Sequence, residues 1–302
     1  MKGLNKMKQA LTLLALLASL SIQASITIGA YNIRNFDYDE RYRIRTDKPQ
    51  LSVMLKNLKV DVLSVEEVVN KAEFELFVTT NLPGYKVAIS ECGGVHGQHL
   101  GFIYNSASVD MLSFNEDLAI SEPGQAGGCN SGSRPLAIGL FQIKSNKQKF
   151  YGMTAHLKSG SDPESVNKRS MQFDIIKKIV KELKAKTGVQ DFYIAGDMNT
   201  TEYISRGIDY KLFTKLVGDL GMYDLAQDLA CSAYWWGGTD DGIEEPSLLD
   251  HVIITPGLRK TSNKAEAQAH CKKVSCRKAS LAELGVSYES VSDHCPITAT
   301  IQ

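Results

Sequence analysis

The stretch Ile194–Thr200, IAGDMNT, ends an apolar run (Phe192 to Ala195) on Asp197 and Asn199. Residues two apart on an extended chain share a face, so the carboxylate and the amide are expected to project together. The pattern recurs. ITIGAYN ends on Asn32, DVLSVEE on Glu66 and Glu67, and GMTAH on His156, while SLLDH offers Asp250 and His251 and SDHCPIT begins with Asp293 and His294. Each instance alone has a plain explanation, since Asn and Asp cap turns and a lone His is usually packed. Six strands that all turn polar at one end call for a common cause.

The residue types divide into parts. Glu67, Asp293 and Asn32 are hard oxygen donors of the kind Mg²⁺ prefers, with water completing its octahedron. Asp197 and Asn199 suit the holding and deprotonation of a water molecule. His156 and His294 suit a phosphate oxygen, which an imidazole can stabilise or protonate near neutral pH. A cluster of acids repels a phosphodiester unless a cation sits among them. Hydrolysis of a phosphate ester is the chemistry that fits.

These residues need elements to carry them. Strands are expected at 26–33, 61–68, YKVAIS, LGFIYN, VDMLSF, PLAIGLFQI, FYGMTAHL, DFYIAGD, LLDHVIIT and PITATIQ, with helices at 51–60, 71–82 and 210–220. The longest helix is expected after Ser161, with capping-box spacing from Ser161 to Glu164 and Pro163 in the first turn. Ile176, Ile179, Val180 and Leu183 then form its apolar stripe. The Lys- and Ala-rich segment from about 258 to 290 gives no clear period.

Residues 1–24 have the layout of a secretory signal peptide, with three lysines, an apolar stretch from Ala10 to about Ile22 and small residues up to Ala24. One catalytic domain is expected over 25–302, secreted and monomeric, with no stable membrane anchor. The chain has 34 basic and 34 acidic residues, and without the leader 31 basic remain against 34 acidic. That balance argues against a protein that coats nucleic acid, though not against an enzyme acting on it. Six cysteines in an exported chain suggest disulfides, with fifteen possible pairings. Zinc is the weaker reading, because only Cys271 and Cys276 are closely spaced.

YNIRNF, DVLSVEEV, TAHLKSG, GDMNTTE, LLDHVII and SDHCPI, in this order, resemble the endonuclease/exonuclease/phosphatase superfamily. SECGGVHGQHLGFIYN and GSRPLAI resemble its deoxyribonuclease I-like members. The resemblance implies a four-layer α/β/β/α sandwich of two mostly antiparallel sheets, with the site at the strand ends. It implies Glu67, Asn32 and Asp293 as Mg²⁺ ligands, with Mn²⁺ a substitute and a structural Ca²⁺ a further candidate. Asp197 would activate water, with Asn199 beside it. Asp250 would hold His294, His156 would be the second imidazole, and Arg134 and Asn199 would touch substrate phosphate. The implied activity is endonucleolytic cleavage of DNA, with RNA a second candidate, leaving 5′-phosphate ends.

There are departures from that family. Glu66 replaces the usual Gln before the metal-binding Glu and is expected to add charge at the metal. Val69 stands where a groove-reading Arg is usual. Gln98 stands near the position where deoxyribonuclease I-like members carry a carboxylate to partner the first His, and His96 near that of their sugar-stacking aromatic. Trp235 and Trp236 resemble a pair in some family exonucleases and either plug the sandwich or stack on a base. Lys158, Arg169 and Gln172 read as solvated face and helix packing, and His99, His251 and His270 as structural. Two rival functions share the fold: a sphingomyelinase-like phospholipid phosphodiesterase, and a binding protein that has lost the chemistry.

Overall fold

Alternation along the first strand sets the architecture. Ile26, Ile28 and Ala30 enter one apolar core, and Tyr31 and Ile33 enter another on the opposite face. A strand apolar on both faces must lie between two layers. The computed structural model describes residues 25–125, 128–259 and 264–301, and the leader expected over 1–24 lies outside the described residues.

In chain order the first sheet is begun by β1 (Ile26–Phe36), β2 (Val62–Val68), β3 (Tyr85–Ile89) and β4 (His99–Asn105). The second sheet takes β5 (Val109–Asp117), β6 (Leu136–Ile143), β7 (Lys149–Thr154), β8 (Phe192–Asp197), β9 (Tyr223–Asp224) and β10 (Asp250–Ile254). Then β11 (Glu266–Ala267) and β12 (Ile297–Ile301) return to the first. The strand orders are β11-β12-β1-β2-β4-β3 and β9-β10-β8-β7-β6-β5. Pairing is antiparallel except between β1 and β2 and between β7 and β8.

The two sheets enclose a core that includes Phe102, Phe141, Phe150 and Tyr193. On the outer face of the first sheet, α1 (Lys48–Leu58) and α2 (Lys71–Asn81) bury Leu51, Leu55, Phe74 and Phe77 against Leu63 and Val65. On the outer face of the second, α3 (Pro163–Thr187) and α4 (Ile208–Asp219) bury Phe173, Ile176, Phe213 and Leu216 against Met153 and Ile194. The result is the expected α/β/β/α sandwich.

Several element ends differ from expectation. The Asp47 side chain caps α1 at the Gln50 amide (2.9 Å), so this helix starts before 51 and stops at Lys59, which is left-handed. The capping box expected from Ser161 to Glu164 does not form. Asp162 caps α3 instead, accepting from the Ser165 amide at 3.0 Å, because a carboxylate one residue closer to Pro163 reaches the free N–H groups first. A real capping box joins Ser280 and Glu283 in the 258–290 segment. There Ala269–Lys273, Leu281–Leu284 and Val286–Glu289 form short helices. Disulfides Cys231–Cys276 and Cys271–Cys295 pin this segment around Tyr234, and Cys92–Cys129 ties the loops near β4. No cysteine is free, which removes the zinc reading. Among the described residues no helix is long and apolar enough to cross a membrane.

Candidate active site

The site is where the inter-sheet rows run out of apolar residues. Ile26-Ile28-Ala30 continues to Asn32, Val62-Ser64 to Glu66, Phe150-Gly152-Thr154 to His156, and Tyr193-Ala195 to Asp197. Asp250 precedes Val252 and Ile254 in the same way. At this end a cleft of about 1010 Å³ is lined by Glu67, Arg134, His156, Asp197, Asn199, Asp293 and His294, among others.

Glu67 leaves the alternation. Register shifts between Asn32 and Phe36 and between Val65 and Val68 mark bulges, and Glu67 adopts φ +61°. A left-handed non-glycine residue costs about 1–3 kcal/mol and persists only where its surroundings hold it. Here Asn32 Nδ2 donates to Glu67 Oε1 at 3.1 Å and the Asn35 amide to Oε2 at 3.1 Å. The bulge turns Glu67 into the cleft and leaves Glu66 in the inter-sheet row.

Glu66 is fully buried and neither carboxyl oxygen has a hydrogen-bond partner. Burial, with the charges of Asp250 and Asp197, pushes its pKa well above the ordinary carboxylate range. It is therefore a neutral side chain facing Gly196, and the expectation that it adds charge at a metal is corrected.

Asp197 and Asn199 both line the cleft, but not by strand alternation. The strand ends at Asp197, and Asn199 is left-handed at φ +51°, its amide donating to Asp197 Oδ1 at 2.9 Å. Its Nδ2 reaches the Leu157 carbonyl at 3.1 Å, and Arg134 Nη2 reaches the same carbonyl at 3.3 Å. Arg134 is buried with its Nε unpartnered.

Asp197 Oδ2 lies 3.3 Å from His156 Nε2, 3.8 Å from His294 Nε2 and 3.4 Å from Asn32 Nδ2. Burial raises the Asp197 pKa to about 7 against the opposing pull of His294. The two imidazoles diverge. Burial, Arg134 and His294 hold His156 well below its ordinary pKa, hence neutral. Burial alone would lower His294 too, but Asp250, whose Oδ2 meets its Nδ1 at 2.8 Å, overcomes this and raises it well above. Asp250 also accepts from Ser232 Oγ at 2.7 Å. The ring orientation is thus fixed from behind.

The expected metal donors match a hard cation by chemistry. Glu67 and Asp293 face the cleft, and among the described residues no Lys or Arg forms an ion pair with either. Burial and then the Asp293 charge raise the Glu67 pKa, a repulsion that a divalent ion would relieve. Asn32 is buried, its Oδ1 accepts from the Arg34 amide at 3.0 Å, and its Nδ2 donates to Glu67 and to Asp197.

Other expectations are settled around this centre. Gln98 donates to Asn35 Oδ1 at 2.7 Å and not to His156, whose Nδ1 is unpartnered. Arg169 and Gln172 are fully buried and do more than pack. Arg169 pairs with both Asp209 oxygens (3.1 and 2.7 Å) and donates to the Lys158 and Gly160 carbonyls, while Gln172 accepts from the Lys158 amide at 3.0 Å. Lys158 itself lines the cleft. His251 is structural, held between Asp224 and Thr200 at 2.9 Å each. Trp235 and Trp236 are 47% and 56% exposed, so they plug nothing.

Sequence reasoning missed Ser232, Ser292, Asn35 and Asp209. Ser292, which donates to the Asn32 carbonyl and accepts from the His294 amide, was visible beside Asp293; Ser232 carries no such signal.

No protein-family model matches the chain, and no curated protein does. Solved structures do. An endonuclease/exonuclease/phosphatase from Bacteroides vulgatus superposes with TM-score 0.64 at 18% identity, covering 93% of this chain and 99% of the other. The mannosyl-6-phosphatase Bt3783 of Bacteroides thetaiotaomicron gives 0.63 at 16%, covering 92% and 99%. TDP2 of D. rerio complexed with single strand DNA product gives 0.60 at 17%, covering 93% and 100%. The chain carries the fold of the endonuclease/exonuclease/phosphatase family.

Proposed function

We propose that this protein is a secreted, divalent-metal-dependent phosphodiesterase that hydrolyses DNA internally by water attack at phosphorus, with RNA a second substrate. One observation carries the reading. The Asp197 carboxylate lies 3.3 Å and 3.8 Å from the Nε2 atoms of His156 and His294, in one cleft with Glu67, Asp293 and the buried Arg134. The solved neighbours share this fold at low identity, and they include a phosphatase and a protein bound to a DNA product.

Asp197 takes the proton of the attacking water, and Asn199 orients that water. A base whose pKa lies near the working pH accepts a proton without being idle as the acid. His294, charged and held by Asp250, gives its Nε2 proton to the ester oxygen that leaves as its bond to phosphorus breaks. His156, neutral, offers a hydrogen bond from Nε2 to phosphate oxygen as negative charge builds there. The Arg134 guanidinium binds a non-bridging phosphate oxygen. Glu67 and Asp293, beside the Asn32 carboxamide, would hold Mg²⁺, which would supply charge neutralisation at phosphate.

The test is nicking of supercoiled plasmid by the chain from residue 25 onward. Conversion to open-circular and then linear DNA with Mg²⁺, blocked by excess EDTA, is expected. A folded, metal-loaded protein that leaves the plasmid supercoiled would overturn the DNA reading.

A further inference from the structure

Between β1 and α1 the chain makes a small hairpin, pairing Tyr38–Asp39 with Ile44–Arg45, that forms part of the cleft wall. Tyr38, Glu40, Arg41 and Tyr42 all line the cleft, and Tyr38 and Tyr42 are 37% and 54% exposed.

The ribbon is built and not loose. Asp39, itself buried, accepts from the Arg41 and Tyr42 amides at 2.9 and 3.2 Å, closing the tip. Arg34 anchors the base through the Tyr288 and Glu289 carbonyls at 3.1 and 2.9 Å. The Thr46 amide returns to the Asp37 carbonyl at 3.0 Å, and Asp37 is neutralised by Lys48 (2.9 Å) and Arg45 (3.1 Å). The same turn carries Asn35, whose amide holds Glu67, so the ribbon is fixed relative to the catalytic end.

Charge points to one occupant. The Arg41 guanidinium lies 5.1 Å from the Tyr42 ring, and among the described residues it has no carboxylate partner. Lys158 and Lys168, which also line the cleft, are likewise without an ion pair. Each ring carries an arginine, Arg41 at Tyr42 and Arg45 5.5 Å from Tyr38, and aromatic–arginine pairs beside a centre for phosphate are features that hold a strand with unpaired bases. A duplex keeps its base faces stacked and has none to offer.

We propose that the Tyr38–Arg45 ribbon is a strand-binding subsite, with Tyr42 and Tyr38 stacking on unpaired bases and Arg41 contacting the flanking phosphate. The enzyme then prefers single-stranded or unwound nucleic acid to duplex. The subsite rests on the phosphodiesterase reading for its purpose, but it is measured by binding.

Fluorescence anisotropy in EDTA, with a labelled dT oligonucleotide and a matched duplex, tests it. The parent protein is expected to bind the single strand about tenfold more tightly than the duplex. Tyr42→Ala should weaken single-strand binding about tenfold, and Tyr42→Phe should restore it. Equal affinity for strand and duplex, or a Tyr42→Ala protein that binds as the parent does, overturns the subsite. Binding to lipid vesicles but not to the oligonucleotide overturns it too. Failure to cleave any diester while these affinities hold would sink the catalytic reading alone.

Discussion

Glu66 shows how one residue step decides a role. It sits in the row of Val62 and Ser64, between the sheets, while its neighbour Glu67 is turned out by the bulge. Its pKa is raised from 4.5 by burial and then by Asp250 and Asp197, so the folded protein binds a proton that the unfolded chain releases above about 4.5. Stability from this group is present below pH 4.5 and declines as pH rises towards the folded-state pKa. Glu66→Gln removes that slope while keeping the shape. In EDTA, the melting temperature of the variant minus that of the parent is expected to grow from pH 5 to pH 8. A difference that stays constant would mean that Glu66 is not held neutral. Adjacent glutamates in DVLSVEE suggest equal partners, and only the bulge, set by the fold of the loop after Asn32, tells them apart. The turn at Asn199 was hidden for the same reason, since left-handed backbone leaves no mark on an Asn in sequence.

At the scale of elements, the strand ends were readable and their bracing was not. Alternating apolar residues that stop at Asn32, His156, Asp197 and Asp250 mark both the strands and the edge at which they end. The Arg169–Asp209 pair, 40 residues apart, left no such pattern. It ties α3 to the start of α4 and to the loop after His156, and Thr201 Oγ1 adds a 2.8 Å bond to the same carboxylate. Both side chains are buried, so breaking the pair strands a charge and costs about 3–5 kcal/mol. Arg169→Met is therefore expected to lower the urea midpoint by a large fraction of the protein's stability, and adding Asp209→Leu should recover part of it. A single variant as stable as the parent would show that the pair is not a brace. The ribbon at 38–45 was equally silent, because two-residue strands carry too few side chains to show a period.

For the whole molecule, two sheets place their polar ends on one edge, and long connections bring β11 and β12 back to β1 to deliver Asp293 and His294. The Cys271–Cys295 disulfide holds that return next to His294, and Cys231–Cys276 fastens the segment bearing Ser232. Cysteine counting foresaw bridges but not their pairing, which depends on the path of the 258–290 segment. The account's central claim is that this edge hydrolyses a phosphodiester with Asp197 as base. The measurement that tests it most directly is the steady-state rate of plasmid nicking by Asp197→Asn and parent protein, at saturating Mg²⁺ and with equal folded fractions by circular dichroism. Loss of the base should lower the rate about 10²–10⁴-fold. A variant that nicks as fast as the parent would contradict the account.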